Sequence, residues 1–312
     1  MRPAFSVIFF TTLIGAGQGL FIALYAVEVG SRLGKLPAQT ADFFALGGVL
    51  VLVLLGTGLL SSYFHLGRPE RSWRAAAMWR TSWLSREVIV LPVFMGVVCA
   101  WGVAHHLAAG GTLALGALGI VLCCLLFLCT GMIYACIRFL QEWASPLTVV
   151  NYVLLGCASG FTAAAAYAAS AGAGVTEMLG RCAVALTLVA CAARVAALVR
   201  NARIRPNSSL QTAIGVRHPQ IEQKSQGFMG GSYNTREFFH GAPSGMFHLV
   251  KWTFLALAFP VPVVLVVAGL AYASPGPLAA AFVVQYVGLV AERWFFFAQA
   301  SHPQNLYYQA VA

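Results

Sequence analysis

The chain has 312 residues, of which 60% are hydrophobic and only 9% are charged, whereas an ordinary soluble domain carries about 25% charged residues. This composition excludes a water-soluble globular domain and indicates a protein that lies within a membrane. The net charge of +10 fits contact with anionic lipid and gives no reason to expect a nucleic-acid partner.

Eight apolar runs are long enough to cross a bilayer, which takes about 20 helical residues. The runs are continuously apolar rather than alternating, which is typical of membrane helices. They lie near 5–29, 42–62, 87–107, 113–137, 147–169, 178–199, 249–273 and 277–299. The sequence therefore predicts an all-α integral membrane protein, a bundle of eight transmembrane helices in a single membrane domain, residues 1–312.

The distribution of basic residues predicts the orientation of this bundle. The first run is too long for a signal peptide and no clear cleavage site follows it, so we expect a retained helix. With eight spans, both termini lie on one side. The loops on that side carry most of the basic residues, and the opposite loops carry only Arg32, Lys35 and Arg181. Basic loops stay in the cytoplasm, so both termini are predicted to be cytoplasmic.

The most polar segment lies between the second and third runs and reads FHLGRPERSWRAAAMWRTSWLSRE, from Phe64 to Glu87. It contains five arginines, three tryptophans, two glutamates and one histidine. We expect residues 63–86 to form a cytoplasmic Arg/Trp-rich loop, with His65 following the second helix and Glu87 beginning the third. A segment this polar between spans is either a docking surface or a reaction site.

The ends of the second and third helices can bring His65 and Glu87 together at the membrane border. A quinone ring suits such a place, because its tail stays in lipid while its carbonyl oxygens meet polar groups. Histidine can donate a hydrogen bond and exchange a proton near neutral pH, and a carboxyl partly withdrawn from water can relay a proton. His65 and Glu87 are therefore candidate catalytic residues, and Arg86 and Trp83 are further candidate quinone contacts.

The same residues also have a structural interpretation. His65 can cap the second helix, Glu87 can pair with an arginine, and the tryptophans fit an interfacial aromatic belt. His105 and His106 end the third span on the opposite side, where we expect contact with interfacial water. Other polar residues within the spans have no partner that the sequence identifies: Gln18, Glu28, Asn151, Arg181, Arg194, Gln285, Glu292 and Arg293.

Cysteines and histidines predict no metal site in this chain. All eight cysteines lie inside predicted spans, and none forms the closely spaced loop cluster of an iron–sulfur ligand set. A haem between His65 and His248 is conceivable, but no pattern supports it. We therefore expect neither haem nor an iron–sulfur cluster here, so that a partner must supply any metal centres.

The segment 200–247 is a second long cytoplasmic loop. Loops of this length without a helical pattern are usually functional or disordered. Its aromatic residues and methionine lie beside arginine, which suits a protein interface. We interpret it as a docking loop for a partner rather than as a disordered linker.

The segment from Phe64 to Glu87 and the segment ERWFFFAQASHPQNLYY, from Glu292 to Tyr308, resemble the DMSO reductase anchor subunit family. The eight-helix plan matches as well, so the resemblance covers nearly the whole chain. It implies a membrane anchor that binds an iron–sulfur subunit and a molybdopterin catalytic subunit and exchanges electrons with ubiquinone or menaquinone. The molybdopterin and iron–sulfur clusters would lie in those partners. The resemblance also associates quinol binding with His65 and Glu87.

The segments SLQTAIGVRHPQ and QGFMGGSYNTREFFHG, both within 201–247, look more like the membrane subunits of cytoplasmic sulfite-oxidising molybdoenzymes. This resemblance implies electron flow from sulfite to quinone, with both partners on the cytoplasmic face of a bacterial inner membrane. The chain alone would then not act on the outer substrate. One alternative is a quinol-oxidising anchor of a DMSO-type reductase. A secondary transporter is the other; it would predict broken helices and inverted repeats, and no convincing repeat is present.

Overall fold

The computed structural model describes residues 1–64, 66–222 and 237–307. Within these ranges the chain has no β-strand, and eight spans are long and apolar enough to cross a membrane. The helices are α1 (Phe5–Arg32), α2 (Ala41–Tyr63), α3 (Trp83–His106), α4 (Thr112–Ala135), α5 (Pro146–Ser170), α6 (Thr176–Ala202), the short α7 (Leu210–Ile214), α8 (Ser244–Ala258), α9 (Pro260–Ala271) and α10 (Pro275–Gln299). Helices α8 and α9 together form the seventh span. The prediction of an all-α membrane protein with eight spans is confirmed.

The connections divide the bundle into two unlike faces. The face at which α1 begins and α10 ends, here called the terminal face, carries the described parts of the long connections 64–82, 136–145 and 203–243. The opposite face carries the short turns 33–40, 107–111, 171–175 and 272–274. A 3₁₀ helix, Pro69–Met78, occupies most of the first long connection.

Helix α3 begins one turn earlier than the sequence predicted. Its N-cap is Ser82, whose side-chain oxygen accepts a hydrogen bond from the backbone nitrogen of Ser85 at 3.4 Å. A serine in this position favours a helix start. The expectation that Glu87 begins the helix is therefore wrong, and Glu87 lies in the second turn of α3, inside the bundle.

Helices α1 and α5 form the centre of the bundle, and about two-thirds of each span is buried. Gly15 and Gly19 on α1 face Gly156 and Gly160 on α5, so that the two backbones touch. A Cβ atom on Gly160 would lie 2.2 Å from the backbone nitrogen of Leu20. Small residues at this spacing allow membrane helices to approach closely.

The seventh span is interrupted between α8 and α9 at Phe259, which has φ −124° and ψ −79°. Pro262 has no N–H to donate to the carbonyl of Ala258. Instead Nε2 of Gln285, on α10, donates to that carbonyl at 3.3 Å and to Oγ1 of Thr187 at 3.1 Å. The break is thus made by proline and satisfied by a side chain, which gives Gln285 a structural role.

Candidate functional site

Glu87 is a buried carboxyl near the terminal face, with only 2% of its surface exposed. The hydroxyl of Thr130, on α4, donates a hydrogen bond to its Oε1. Its Oε2 accepts no hydrogen bond from the described residues, and none of their basic side chains forms an ion pair with Glu87. A buried carboxyl without a cation is costly within a membrane and is therefore a candidate functional group.

The adjacent Arg86 turns away from Glu87. Its guanidinium donates to the carbonyl of Trp79 at 2.9 Å and to the carbonyl of Arg80 at 2.8 Å. It also lies over the ring of Trp83, 4.2 Å from the centroid. Arg86 and Trp83 therefore fix the end of the 64–82 connection against the first turn of α3, and Arg86 does not neutralise Glu87.

His65, the other predicted catalytic residue, lies outside the described residues. Helix α2 ends at Tyr63, and Phe64 after it is exposed. The pairing of His65 with Glu87 therefore stays a prediction. Residues 223–236 of the predicted docking loop likewise lie outside the described residues.

The 3₁₀ helix and the residues after it present aromatic and basic side chains together. Trp73 is 69% exposed, and the guanidinium of Arg74 lies 5.5 Å from its ring centroid. Trp79 is 53% exposed and has Arg80 at 5.4 Å. Tryptophan and arginine are enriched at protein interfaces and attract each other through cation–π contacts. These four residues are here called the Arg/Trp surface.

Two buried tyrosines, Tyr134 and Tyr152, lie near the terminal-face ends of α4 and α5. Tyr134 lies one helical turn after Thr130 on α4, so both lie on the same helix face. Its ring stacks on that of Tyr152, on α5, with centroids 5.6 Å apart and planes 10° apart. The sequence alone does not single out Thr130, Tyr134 or Tyr152; the available signal is the polar pair at i, i+4 in the apolar second half of α4.

Three charged side chains form a buried cluster next to Tyr152. Nε of Arg194, on α6, lies 2.7 Å from Oε1 of Glu292, on α10, and Nη2 of Arg293 lies 3.5 Å from Oε2 of Glu292. The guanidinium of Arg293 lies over the ring of Tyr152, 3.9 Å from the centroid. These residues, here called the Arg–Glu–Arg cluster, therefore bring together two cations and one anion within the bundle.

A cavity of about 10 Å³ adjoins this cluster. Its polar lining includes Glu142, Asn151, Arg194, Arg200, Asn201, Glu292 and Arg293. Arg200 donates to the carbonyls of Gln141 and Ala144, at 3.0 and 3.3 Å. The cavity therefore lies between the buried cluster and the 136–145 connection of the terminal face.

A wider cleft of about 1200 Å³ opens on the terminal face. Glu142 and Asn201 line both this cleft and the small cavity. Burial, together with the nearby amino terminus, lowers the pKa of His240 and of His302 from 6.5. Both histidines line the cleft, and both are therefore neutral at pH 7.

The opposite face holds a separate buried pair, Glu28 and His105. Oε1 of Glu28 lies 3.2 Å from Nε2 of His105, and Nε1 of Trp101 donates to Oε2 of Glu28 at 2.8 Å. His105 is 7% exposed and its ring stacks on Phe44, so the expectation that it meets interfacial water is wrong. The pair ties α1 to α3 roughly 27 Å along α3 from Glu87, too far away to belong to the same site.

The remaining polar candidates within the spans find local partners. Gln18 donates to the carbonyl of Cys123 at 2.9 Å, Asn151 donates to the carbonyl of Leu147 at 2.7 Å, and Arg181 pairs with Glu177 at 2.5 Å. Among the described residues, no three His, Cys, Asp or Glu side chains lie close enough together to hold a metal ion. Oδ1 of Asn151 has no hydrogen-bond partner among the described residues. The polar groups that remain for chemistry are therefore this oxygen and the side chains between Glu87 and the cleft.

Comparison with known proteins identifies a family and one relative that matches over the whole length. The family model described as DMSO reductase anchor subunit (DmsC) matches residues 1–218. The chain is 54% identical to a sulfite dehydrogenase subunit from Allochromatium vinosum, over 328 aligned residues that cover all of both chains. The family match includes Glu87, Thr130 and both tyrosines, whereas Glu292 and Arg293 lie beyond it.

Proposed function

This chain belongs to the DMSO reductase anchor subunit family, and from this premise we propose that it is the membrane subunit of a molybdoenzyme complex that exchanges electrons with quinone. Its partners are a molybdopterin catalytic subunit and an iron–sulfur subunit, which hold the metal centres. The 54% identity to a protein of a sulfite dehydrogenase supports sulfite as the outer substrate, so that electrons run from sulfite to quinone.

The single observation that carries the quinone site is the buried carboxyl of Glu87, which pairs with no cation among the described residues. A quinone supplies two carbonyl oxygens that together take up two electrons and two protons. The residues fit this chemistry, because Thr130 fixes Oε1 of Glu87 while Oε2 accepts no hydrogen bond from the described residues. Glu87 can therefore hold a proton at Oε2 and give it up. His65 is the proposed second proton donor.

We assign the terminal face to the cytoplasm of a bacterium, with the chain in its inner membrane. The long, basic connections lie on this face, and basic loops stay cytoplasmic. The Arg/Trp surface and the cleft then face the side on which the partners bind. The exposed Trp73 and Trp79 are the proposed contacts with the iron–sulfur subunit, together with their arginines.

A secondary transporter is the alternative from another class, and the broken seventh span is the feature that favours it. The Gln285 amide fills this break. Gly288 packs there so closely that an added Cβ would lie 2.4 Å from the nitrogen of Ala258. The break leaves little room for a substrate, which favours the anchor.

The test uses the complex purified in mild detergent, with sulfite as donor and a soluble quinone analogue as acceptor. We expect Glu87→Gln to lower quinone-coupled turnover about 100-fold, because it removes a proton donor. Molybdenum and iron should copurify as in the wild type, and sulfite oxidation with a dye that accepts electrons from the partner subunits should be unchanged. His65→Ala should act in the same way.

The matched control is Glu70→Gln, which alters a carboxyl in the 3₁₀ helix whose side chain is 66% exposed. It should leave both activities unchanged. Normal quinone turnover in the Glu87→Gln complex would contradict the site. Solute flux by the isolated chain, without molybdenum or iron in the preparation, would contradict the anchor function itself.

A further inference from the structure

The Arg–Glu–Arg cluster lies outside the proposed quinone site, and its burial needs an explanation. Taking charges out of water is costly, and a buried ion pair is weak evidence for stability. The two arginines leave a net positive charge around Glu292. Ionisable groups inside membrane bundles commonly belong to ion or proton pathways, so a function explains the cluster better than stability does.

The polar atoms around the small cavity form a site for water. Oδ1 of Asn151, Nη2 of Arg194 and Nε of Arg293 are buried and have no hydrogen-bond partner in the part of the chain that the structure describes. All three residues line the cavity, as does Glu292. The volume of about 10 Å³ suits one water molecule, which typically makes about three hydrogen bonds. The cavity can therefore hold a water beside the Glu292 carboxyl.

The small cavity adjoins the wide cleft of the terminal face. Glu142 and Asn201 line both the cavity and the wide cleft. Nδ2 of Asn201 donates to the carbonyl of Glu142 at 3.4 Å, and Oε1 of Glu142 accepts from the nitrogen of Ser301 at 3.3 Å. A carboxylate thus stands where the cavity meets the cleft.

Two tyrosines and Thr130 lie between the Arg–Glu–Arg cluster and Glu87. Arg293 lies over Tyr152, and Tyr152 stacks on Tyr134. Tyr134 lies one turn from Thr130, which donates to Glu87. The hydroxyl of Tyr152 is buried and has no hydrogen-bond partner among the described residues, so it can bind water or pass a proton. Polar side chains therefore follow one another from the cleft through Tyr152 and Tyr134 to the face of α4 on which Thr130 binds Glu87.

We propose that these groups form a proton route between the terminal face and Glu87, with Glu292 as the buried carboxyl of the route. The proposal rests on the quinone site at Glu87. Each quinone reduced there takes two electrons from the iron–sulfur partner and two protons. A proton that leaves Glu87 for a quinone oxygen is replaced from the cleft, through Glu142, the water site, Glu292 and the two tyrosines. The route moves protons only, and the electrons reach the quinone separately.

Tyr152→Phe is the sharpest test, because it removes the buried hydroxyl and keeps the ring between Tyr134 and Arg293. In the purified complex we expect sulfite-driven quinone turnover to fall roughly tenfold. We also expect its solvent isotope effect in D₂O to rise, since proton delivery then limits the rate. Dye-coupled sulfite oxidation should not change. The control Tyr167→Phe removes a hydroxyl bonded to the carbonyl of Phe43 at the opposite face and should leave turnover and isotope effect unchanged.

Glu292→Gln tests the carboxyl of the route and should lower quinone turnover at least as much. This substitution leaves two buried arginines without their anion, which can prevent assembly of the complex. If the complex does not assemble, the Tyr152→Phe result tests the route. Wild-type turnover and isotope effect in assembled Tyr152→Phe complexes would overturn the route. A loss in Glu87→Gln without a loss in Tyr152→Phe would overturn the route but not the quinone site, whereas normal turnover in both would overturn the two together.

Discussion

The carboxyl of Glu87 receives its hydrogen bond from a hydroxyl, and no cation pairs with it among the described residues. A threonine hydroxyl can donate to a carboxylate and can also accept from a protonated carboxyl. An arginine in the same place would favour the ionised form alone. Arg86 is the nearest such candidate in the sequence, but its guanidinium is bound to two backbone carbonyls. The local arrangement therefore suits a group that both gains and loses a proton.

Replacing this hydroxyl tests how far the site depends on it. We expect Thr130→Val, which keeps the side-chain shape, to lower quinone-coupled turnover on the order of tenfold, because a buried carboxyl loses its hydrogen bond. Thr130→Ser should restore most of the activity. The control is Thr57→Val, since Thr57 is exposed and bonds to its own helix at Val53. Equal quinone-coupled turnover in Thr130→Val and wild type would show that the Thr130 hydroxyl does not contribute to the reaction.

At the scale of the helices, the close contact of α1 with α5 sets the geometry of the other spans. The contact depends on glycines, because at Gly160 a side chain would meet the backbone of α1 rather than a side chain that can move. The carboxyl end of α4 and the first turns of α5 then supply Tyr134 and Tyr152, which stack on each other. A shift of α5 would therefore disturb the tyrosines as well as the bundle.

We predict that Gly160→Ala destabilises the protein by about 1–3 kcal/mol, because the added methyl group forces α1 and α5 apart. The loss should appear as a lower midpoint of thermal unfolding for the detergent-purified protein. Gly56→Ala is the matched control, since an added Cβ there meets nothing within 4 Å. Equal midpoints for the two variants would show that the contact tolerates a methyl group.

The sequence predicts the spans well because each is a continuous apolar run, but it misplaces some of their ends, such as the start of α3, and does not predict the interruption of the seventh span. The apolar pattern places the start of α3 at residue 87, but Ser82 caps the helix from within a polar stretch, so that α3 begins at Trp83. The break at Phe259 depends on Gln285 of another span. Glu87 could be found from the sequence, because a carboxyl at the edge of a long apolar run stands out in a chain with only nine acidic residues. Thr130 could not, because its importance lies in a contact between helices.

At the scale of the molecule, the two faces differ in loop length and in charge. Long, basic connections gather on the terminal face, which also holds the cleft and the Arg/Trp surface. Positive loops resist transfer across the membrane, so one property accounts for both the proposed orientation and the proposed docking side.

Cysteine labelling in intact cells can test this orientation. Ala38→Cys lies in a turn of the opposite face and Asn207→Cys lies in a connection of the terminal face; both residues are exposed. A maleimide that does not cross membranes should label Ala38→Cys in intact cells and Asn207→Cys only after the membrane is disrupted. The parent chain serves as the control for its own eight cysteines. The reverse pattern would invert the topology and put the docking face outside.

The Arg–Glu–Arg cluster also has a consequence for the order of synthesis. Arg194 and Glu292 are roughly a hundred residues apart, and a ribosome adds about 5–20 residues per second. Helix α6 therefore reaches the membrane on the order of ten seconds before Glu292, the counter-ion of Arg194, has been synthesised. During that time the long side chain of Arg194 must reach toward water at the terminal face. Arg194 can be buried with its counter-ion only after α10 has entered the membrane. A chain truncated before α10 therefore keeps an arginine without Glu292 in its sixth span.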